Sequence, residues 1–411
     1  MRRGFVQLLC GHNMRGKLTF VFCCLAILLI PSSIASKSVV DLEIEESLSD
    51  TDLGILAGAV SPNGESVLVV GLDGYARELS AFDADDRSKD VELNTGRTVS
   101  LNDVSWHPRG QAALIAGDMG VALRYETSNH GITLVNGTGE IIGRELSTVE
   151  WRSAGDYAYF GAEDGGIWKF AEGIGFVALE DSKTSPITGI SCHRNIDVCV
   201  MSTLDDGIAV IGPTHNLTWL SGTSSDTWID VDCAEPIVKE CVVFGSGLRT
   251  IIVSINSLDS TKSSAGESEQ YTTLEGDFTK VSRGYDSTSI VILAPFSTVR
   301  QYPVENKAYV HINPEDVSQW DAIISGRSIS FIWENSFNSG FIITSFGNVI
   351  SFNPLTEDVA ESLIVVIIGY VVVISVPGVI LGLIFMNSKT LQKKYAQLRG
   401  FDRDRKKRKK S

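Results

Sequence analysis

The strongest constraint on this chain's fold is that residues 37–360 repeat themselves. Val104-Ser105-Trp106-His107-Pro108-Arg109-Gly110 leads to Ala113-Leu114-Ile115-Ala116-Gly117, then to Gly120-Val121-Ala122-Leu123-Arg124-Tyr125. This reads as an apolar strand, a tight turn, a second strand ending in glycine, a short turn and a third strand. The same grammar starts at Ala59-Val60-Ser61-Pro62-Asn63-Gly64, Val149-Glu150-Trp151, Ile190-Ser191-Cys192 and Val231-Asp232-Cys233, with fainter copies over 281–293 and 332–347. With Val60, Trp106, Trp151, Cys192, Cys233, Arg283 and Trp333 as equivalents, the spacings are 46, 45, 41, 41, 50 and 50 residues. A small sheet cannot bury both faces alone, so a period of this length predicts radial stacking, each copy covering the next. The expected fold class is all-β, a seven-bladed β-propeller spanning residues 36–360, followed by a single C-terminal transmembrane α-helix.

The blocks DVSWHPRGQAALIAGDMGVALRY (residues 103–125) and AVSPNGESVLVVGLDGYARE (residues 59–78) resemble the first three strands of blades in the WD40/YVTN-like propeller superfamily. They are also similar to propellers of the photosystem II assembly-factor type. The Trp-Asp and Gly-His dipeptides of true WD40 blades are missing from these blocks. The adaptor roles of cytosolic WD40 proteins therefore do not carry over.

Seven blades need a closing device. After the third strand of unit seven, over 349–352, few residues remain before a long apolar run, and an unpaired edge would stay exposed. Residues 38–44 alternate apolar and polar and are expected to supply the missing fourth strand; the alternative is a tail with no fixed place. Residues 257–270 (SLDSTKSSAGESEQ) are polar and serine-rich and read as a mobile loop; 83–90 (DADDRSKD) read as a charged connection.

The two ends place the chain in a membrane. Arg15 and Lys17 precede a 13-residue apolar run over 18–30, and small residues at Ser33 and Ala35 suit cleavage. Residues 1–35 therefore read as a signal peptide, starting at Met1 or Met14, with an uncleaved anchor as the alternative. Residues 363–386 hold 24 consecutive uncharged residues, interrupted by Pro377, and are expected to cross the bilayer. Acidic Glu357, Asp358 and Glu361 precede that run; eleven bases lie in the tail 387–411. Basic flanks stay cytoplasmic, so the expectation is a single-pass cell-membrane protein with its body outside. The terminal Lys407-Arg408-Lys409-Lys410-Ser411 also resembles dilysine retrieval signals.

Charge narrows the partners. Asp and Glu number 50 against 35 Lys and Arg, and residues 37–386 alone carry 48 acids and 20 bases. A body so acidic repels nucleic acid. Such charge also suits salty surroundings, where screening limits self-repulsion.

Four of the seven cysteines follow the signal: Cys192, Cys199, Cys233 and Cys241. They fall on the first and second strands of neighbouring units, where cross-strand partners lie within disulfide reach. The expected bonds are Cys192–Cys199 and Cys233–Cys241; a four-cysteine zinc site would need closer spacing. Asn136-Gly137-Thr138 and Asn216-Leu217-Thr218 are N-glycosylation sequons.

No catalytic, cofactor-binding or metal-binding residue is nominated. His107, His130, His193, His215 and His311 show no metal-ligand spacing, and no G-x-S-x-G elbow occurs. Asp85-Asp86, Asp205-Asp206 and Asp230/Asp232 read as solvated or calcium-binding turns, and His107 as structural. Two functions remain: a scaffold binding a protein or glycan partner, or an exported propeller hydrolase or lyase acting on polysaccharide. Convergent carboxylates and arginines at the central channel would favour the second.

Overall fold

Runs rich in Val, Ile, Ala and aromatics form strands here because each is flanked by glycine and polar turn residues and has a repeat copy to pack against. The computed structural model describes residues 38–234, 236–303, 307–313, 327–355 and 380–397. Seven antiparallel sheets follow one another along the chain. Their innermost strands are Ile55–Val60, Leu101–Trp106, Leu146–Trp151, Ile187–Cys192, Trp228–Asp232, Asp277–Arg283 and Ile329–Ser336. Innermost strands of successive blades touch, and the seventh touches the first, so the ring is closed. The seven-bladed propeller read from the spacing is what forms.

The packing has one unit per interface. Seven apolar clusters occupy the seven junctions between blades: Leu68, Val70 and Trp106 between the first and second, Phe160, Trp151 and Leu114 between the second and third, and so on around to Trp333 and Val69 between the seventh and first. Each fully buried aliphatic side chain contributes about 1.5–3 kcal/mol. The turns between second and third strands repeat as closely. Asp73-Gly74 and Met119-Gly120 take positive φ in both residues (54° and 73°, 59° and 75°). A Cβ on Gly74 would stand 2.1 Å from the Arg97 carbonyl oxygen and one on Gly120 2.0 Å from that of Ile141, so only glycine fits.

The closing strand is Val40–Ser47. It pairs antiparallel with Asn348–Pro354 in the register Val40 to Pro354, Leu42 to Phe352 and Ile44 to Ile350. The seventh sheet is thus built from both ends of the ring, as the alternation over 38–44 implied. Two readings need correction. Residues 257–270 are no free loop: Ser264–Ala265 and Glu269–Gln270 both pair with Arg249–Ser254 and complete the fifth blade. Without them that strand's outer N–H and C=O groups would lack partners, a demand that composition does not reveal. The seventh repeat is also out of step by one residue. Glu334 pairs with Gly340 as Trp106 pairs with Ala113, so Glu334, not Trp333, is the structural equivalent of Trp106.

Residues 355–411 form a second unit. Within it, 380–387 and 389–397 are helical. Among the described residues no helix is long and apolar enough to cross a membrane. Most of the expected span, 363–379, lies outside the described residues, as do residues 1–37 with the expected signal and 398–411 of the basic tail.

Candidate functional site: the inner ring and its two mouths

An innermost strand has a free edge toward the axis, so part of its backbone has no partner in its own sheet. The sequence answers with short polar side chains that reach into the next blade. Asp103 Oδ2 accepts from Val149 N at 2.8 Å and from Thr148 Oγ1 at 3.0 Å. Ser105 Oγ accepts from Trp151 N at 3.1 Å, Ser191 Oγ from Cys233 N at 3.0 Å, and Asp230 Oδ2 from Val281 N at 2.9 Å. Each bond staples one blade to its successor. A one-residue bulge near the start of every innermost strand sets the phase that aims these side chains.

Charge collects on this ring. Lys280 donates through Nζ to the carbonyl of Leu56 across the seventh blade, and interacts electrostatically with Asp103 and Asp230. Burial lowers the Lys280 pKa, against the pull of those two carboxylates. Burial raises Asp103, opposed by its bond from Val149 N and by Lys280. Asp230 is pushed up to about 7, again by burial. One layer along, Glu150 accepts from Ser105 Oγ at 2.8 Å and is also pushed up to about 7 by burial, with Arg283 opposing. Asp232 accepts from Ser289 Oγ at 2.8 Å and from Arg283 Nη2 at 3.4 Å.

Asp230 and Asp232 are therefore ring-stapling residues on a strand, which corrects their reading as solvated turns. The sequence signal existed: Asp103, Thr148, Asp230 and Lys280 recur at one repeat position. Asp205 and Asp206 do lie in a turn, where Asp206 Oδ2 accepts from Ser185 N at 2.9 Å.

The histidines stay apart. His107 bonds the Gly155 carbonyl at 2.9 Å and meets Trp151 edge-on, the structural role read for it. His193 contacts the Val238 carbonyl, His215 the Tyr159 hydroxyl, and His311 the Thr298 hydroxyl. His130 joins Tyr125 and buried Glu78. Among the described residues no group of three or more His, Cys, Asp or Glu is placed to hold a metal ion. Both expected disulfides are present, Cys192–Cys199 with a Cα separation of 4.0 Å and Cys233–Cys241 with 4.3 Å. Asn136 is exposed on a groove of about 390 Å³ with Arg124, Glu172 and Ile174. Asn216 is exposed too, but its Nδ2 donates to Ser260 Oγ.

The ring has two unlike faces. Strand direction alternates, so second-to-third turns and blade-to-blade connections share one face, while first-to-second and third-to-fourth turns share the other. The first face, called here the far face, carries Asp73, Asp118, Asp164, Asp205 and Asp206 at successive turns, with Arg144 held by Asp164. The other is the exit face: Val40–Ser47 begins there and Asn348–Pro354 ends there.

No family model matches the chain, and no curated protein matches it. Among solved structures the chain is similar to one described as "YCF48 bound to D1 peptide", with 12% identity and a TM-score of 0.57, over 79% of this chain and 99% of that one. At that identity the likeness establishes a shared propeller fold.

Proposed function

We propose that this chain is a single-pass, membrane-anchored propeller scaffold with its body outside the cytoplasm, and that its far face holds a basic segment of a protein partner. The observation that carries the reading is the succession of carboxylates at the far-face turns, Asp73, Asp118, Asp164, Asp205 and Asp206, in a body already rich in acid. Complementary charge steers encounter and fixes orientation. The stapled, closed ring supplies rigidity, so binding orders little of the scaffold. The similar solved structure is described with a peptide bound, which agrees with a peptide-sized ligand. Anchoring rests on the uncharged run over 363–386 with acids before it and bases after it.

The test is a titration of the full chain with a fluorescent Lys/Arg-rich peptide and its Glu-rich counterpart. Preference for the basic peptide, weakened about tenfold by Asp73→Lys with Asp205→Lys and also by added salt, is expected. Equal affinity for both peptides would overturn it.

A second reading, a polysaccharide hydrolase or lyase, draws on the convergence of Glu150, Asp230, Lys280 and Arg283 on the inner ring, with two carboxyls titrating near 7. Those carboxylates already accept from neighbouring blades. Polysaccharide cleavage that disappears in both Glu150→Gln and Asp230→Asn would favour this reading over the scaffold.

A further inference from the structure

We infer that the exit face rests on the bilayer, with its apolar turn tips in contact with lipid. This rests on the anchored reading above and adds the orientation of the ring.

Chain length comes first. Asn348–Pro354 ends on the exit face, and eight residues, 355–362, separate it from the apolar run that starts at Leu363. Eight residues span at most about 29 Å even when fully extended. The exit face is therefore tethered close to the membrane, with the far face on the opposite side of the ring.

The second observation is what that face displays. Phe82, Ile237, Leu258, Tyr285 and Phe337 all lie at its turns, and all are exposed; Leu258 is 95% exposed and Ile237 85%. They come from the fifth, sixth, seventh and first blades, which follow one another, so they form one arc of the face. Singly, an exposed apolar residue carries no message. Here several are held out by ordered turns. Asn256 Oδ1 accepts from Leu258 N and Asp259 N, each at 3.1 Å, and Asp259 Oδ1 accepts from Thr261 N, fixing the backbone on which Leu258 stands. Tyr285 N and Asn338 N both donate to the Glu334 carboxylate, fixing the turns that carry Tyr285 and Phe337. Turn-tip aliphatics and aromatics on one face suit the headgroup boundary, where apolar area gains from shallow burial.

Charge is the third. On the exit face Arg87, Arg109, Arg194, Lys239 and Lys262 offset part of the acid at its turns, such as Asp83, Asp85, Asp86, Asp156 and Asp286, whereas few bases answer the acids of the far-face turns. Anionic lipid repels an acidic face, and repels the less acidic of two faces less. The far face also exposes Leu72, Met119 and Ile142, so it provides matched controls.

The test uses the full chain in phosphatidylcholine nanodiscs. Ile237→Cys and Leu258→Cys on the exit face, with Met119→Cys and Ile142→Cys on the far face, are labelled with an environment-sensitive fluorophore and quenched by nitroxide-bearing headgroups. Quenching at 237 and 258 at least threefold above that at 119 and 142 is expected. If the chain embeds and withstands alkaline carbonate but all four sites quench alike, the orientation is wrong while the anchor stands. If carbonate strips the chain from the lipid, the anchored reading fails and takes this inference with it.

Discussion

Arg300 and Glu334 show how much one pair can carry. Their side chains are 4% and 0% exposed, and Arg300 donates from both terminal nitrogens to the Glu334 carboxylate. Glu334 also accepts from Tyr285 N and Asn338 N, and Arg300 also donates to Thr288 Oγ1 and Asn338 Oδ1, so no charge is left unpaired. Removing one partner strands the other in a dry site. Arg300→Met is expected to cost about 3–5 kcal/mol in urea unfolding, with Arg300→Met plus Glu334→Leu recovering part of the loss. The sequence hid this pair because the repeat slips by one residue there and puts tryptophan in the expected place. Glu150 and Asp230 make a different prediction. Burial raises both above their unfolded values, so the native state holds protons that the unfolded chain has released. The stability from these two groups is full below about pH 4 and lost as pH rises through about 7. Urea midpoints should fall between pH 5 and pH 8, and Glu150→Gln, which cannot ionise, should flatten that fall.

At the scale of elements, the alternation over 38–44 revealed the closing strand because an open sheet edge has to be answered. Leu42 and Ile44 are partly buried against Ile350 and Phe352. Ile44→Asp should unseat the strand, lowering the melting temperature by several degrees, at about 2–4 °C per kcal/mol, and opening the N-terminal segment to protease. The cysteines were legible for a related reason: repeat equivalence set first- and second-strand cysteines opposite each other, twice. Loops this short remove modest entropy from the unfolded chain. Replacing Cys192 and Cys199 together by serine should therefore cost about 2 kcal/mol in thermal or urea unfolding and leave the ring intact. The fifth blade was misread for the converse reason. Serine-rich segment 257–270 has no strand-like composition, and Ser264–Ala265 and Glu269–Gln270 are strands because Arg249–Ser254 needs its backbone paired. The stapling residues were overlooked because each alone looks in sequence like any surface polar residue; only the repeat position shared by Asp103, Thr148, Asp230 and Lys280 marks them.

Over the whole molecule, stability is a contest between seven apolar junctions and the repulsion of a body with 48 acids and 20 bases over residues 37–386. The buried terms, including the Arg300–Glu334 pair, are shielded from solvent ions and change little with salt. The repulsion acts between exposed carboxylates at neighbouring far-face turns, and it is screened as the Debye length contracts from about 30 Å at 0.01 M to about 3 Å at 1 M. Salt should therefore stabilise this protein, against the usual weakening of surface ion pairs, and the gain should come mostly from one face. The urea midpoint of the full chain is expected to rise with sodium chloride across that range. Asp73→Asn with Asp205→Asn should raise the low-salt midpoint and reduce the slope, whereas Asp156→Asn with Asp286→Asn, on the less acidic exit face, should move neither by as much. A midpoint indifferent to salt would mean that the carboxylates are already neutralised by their local partners, and the far face would lose the field on which recognition of a basic segment depends.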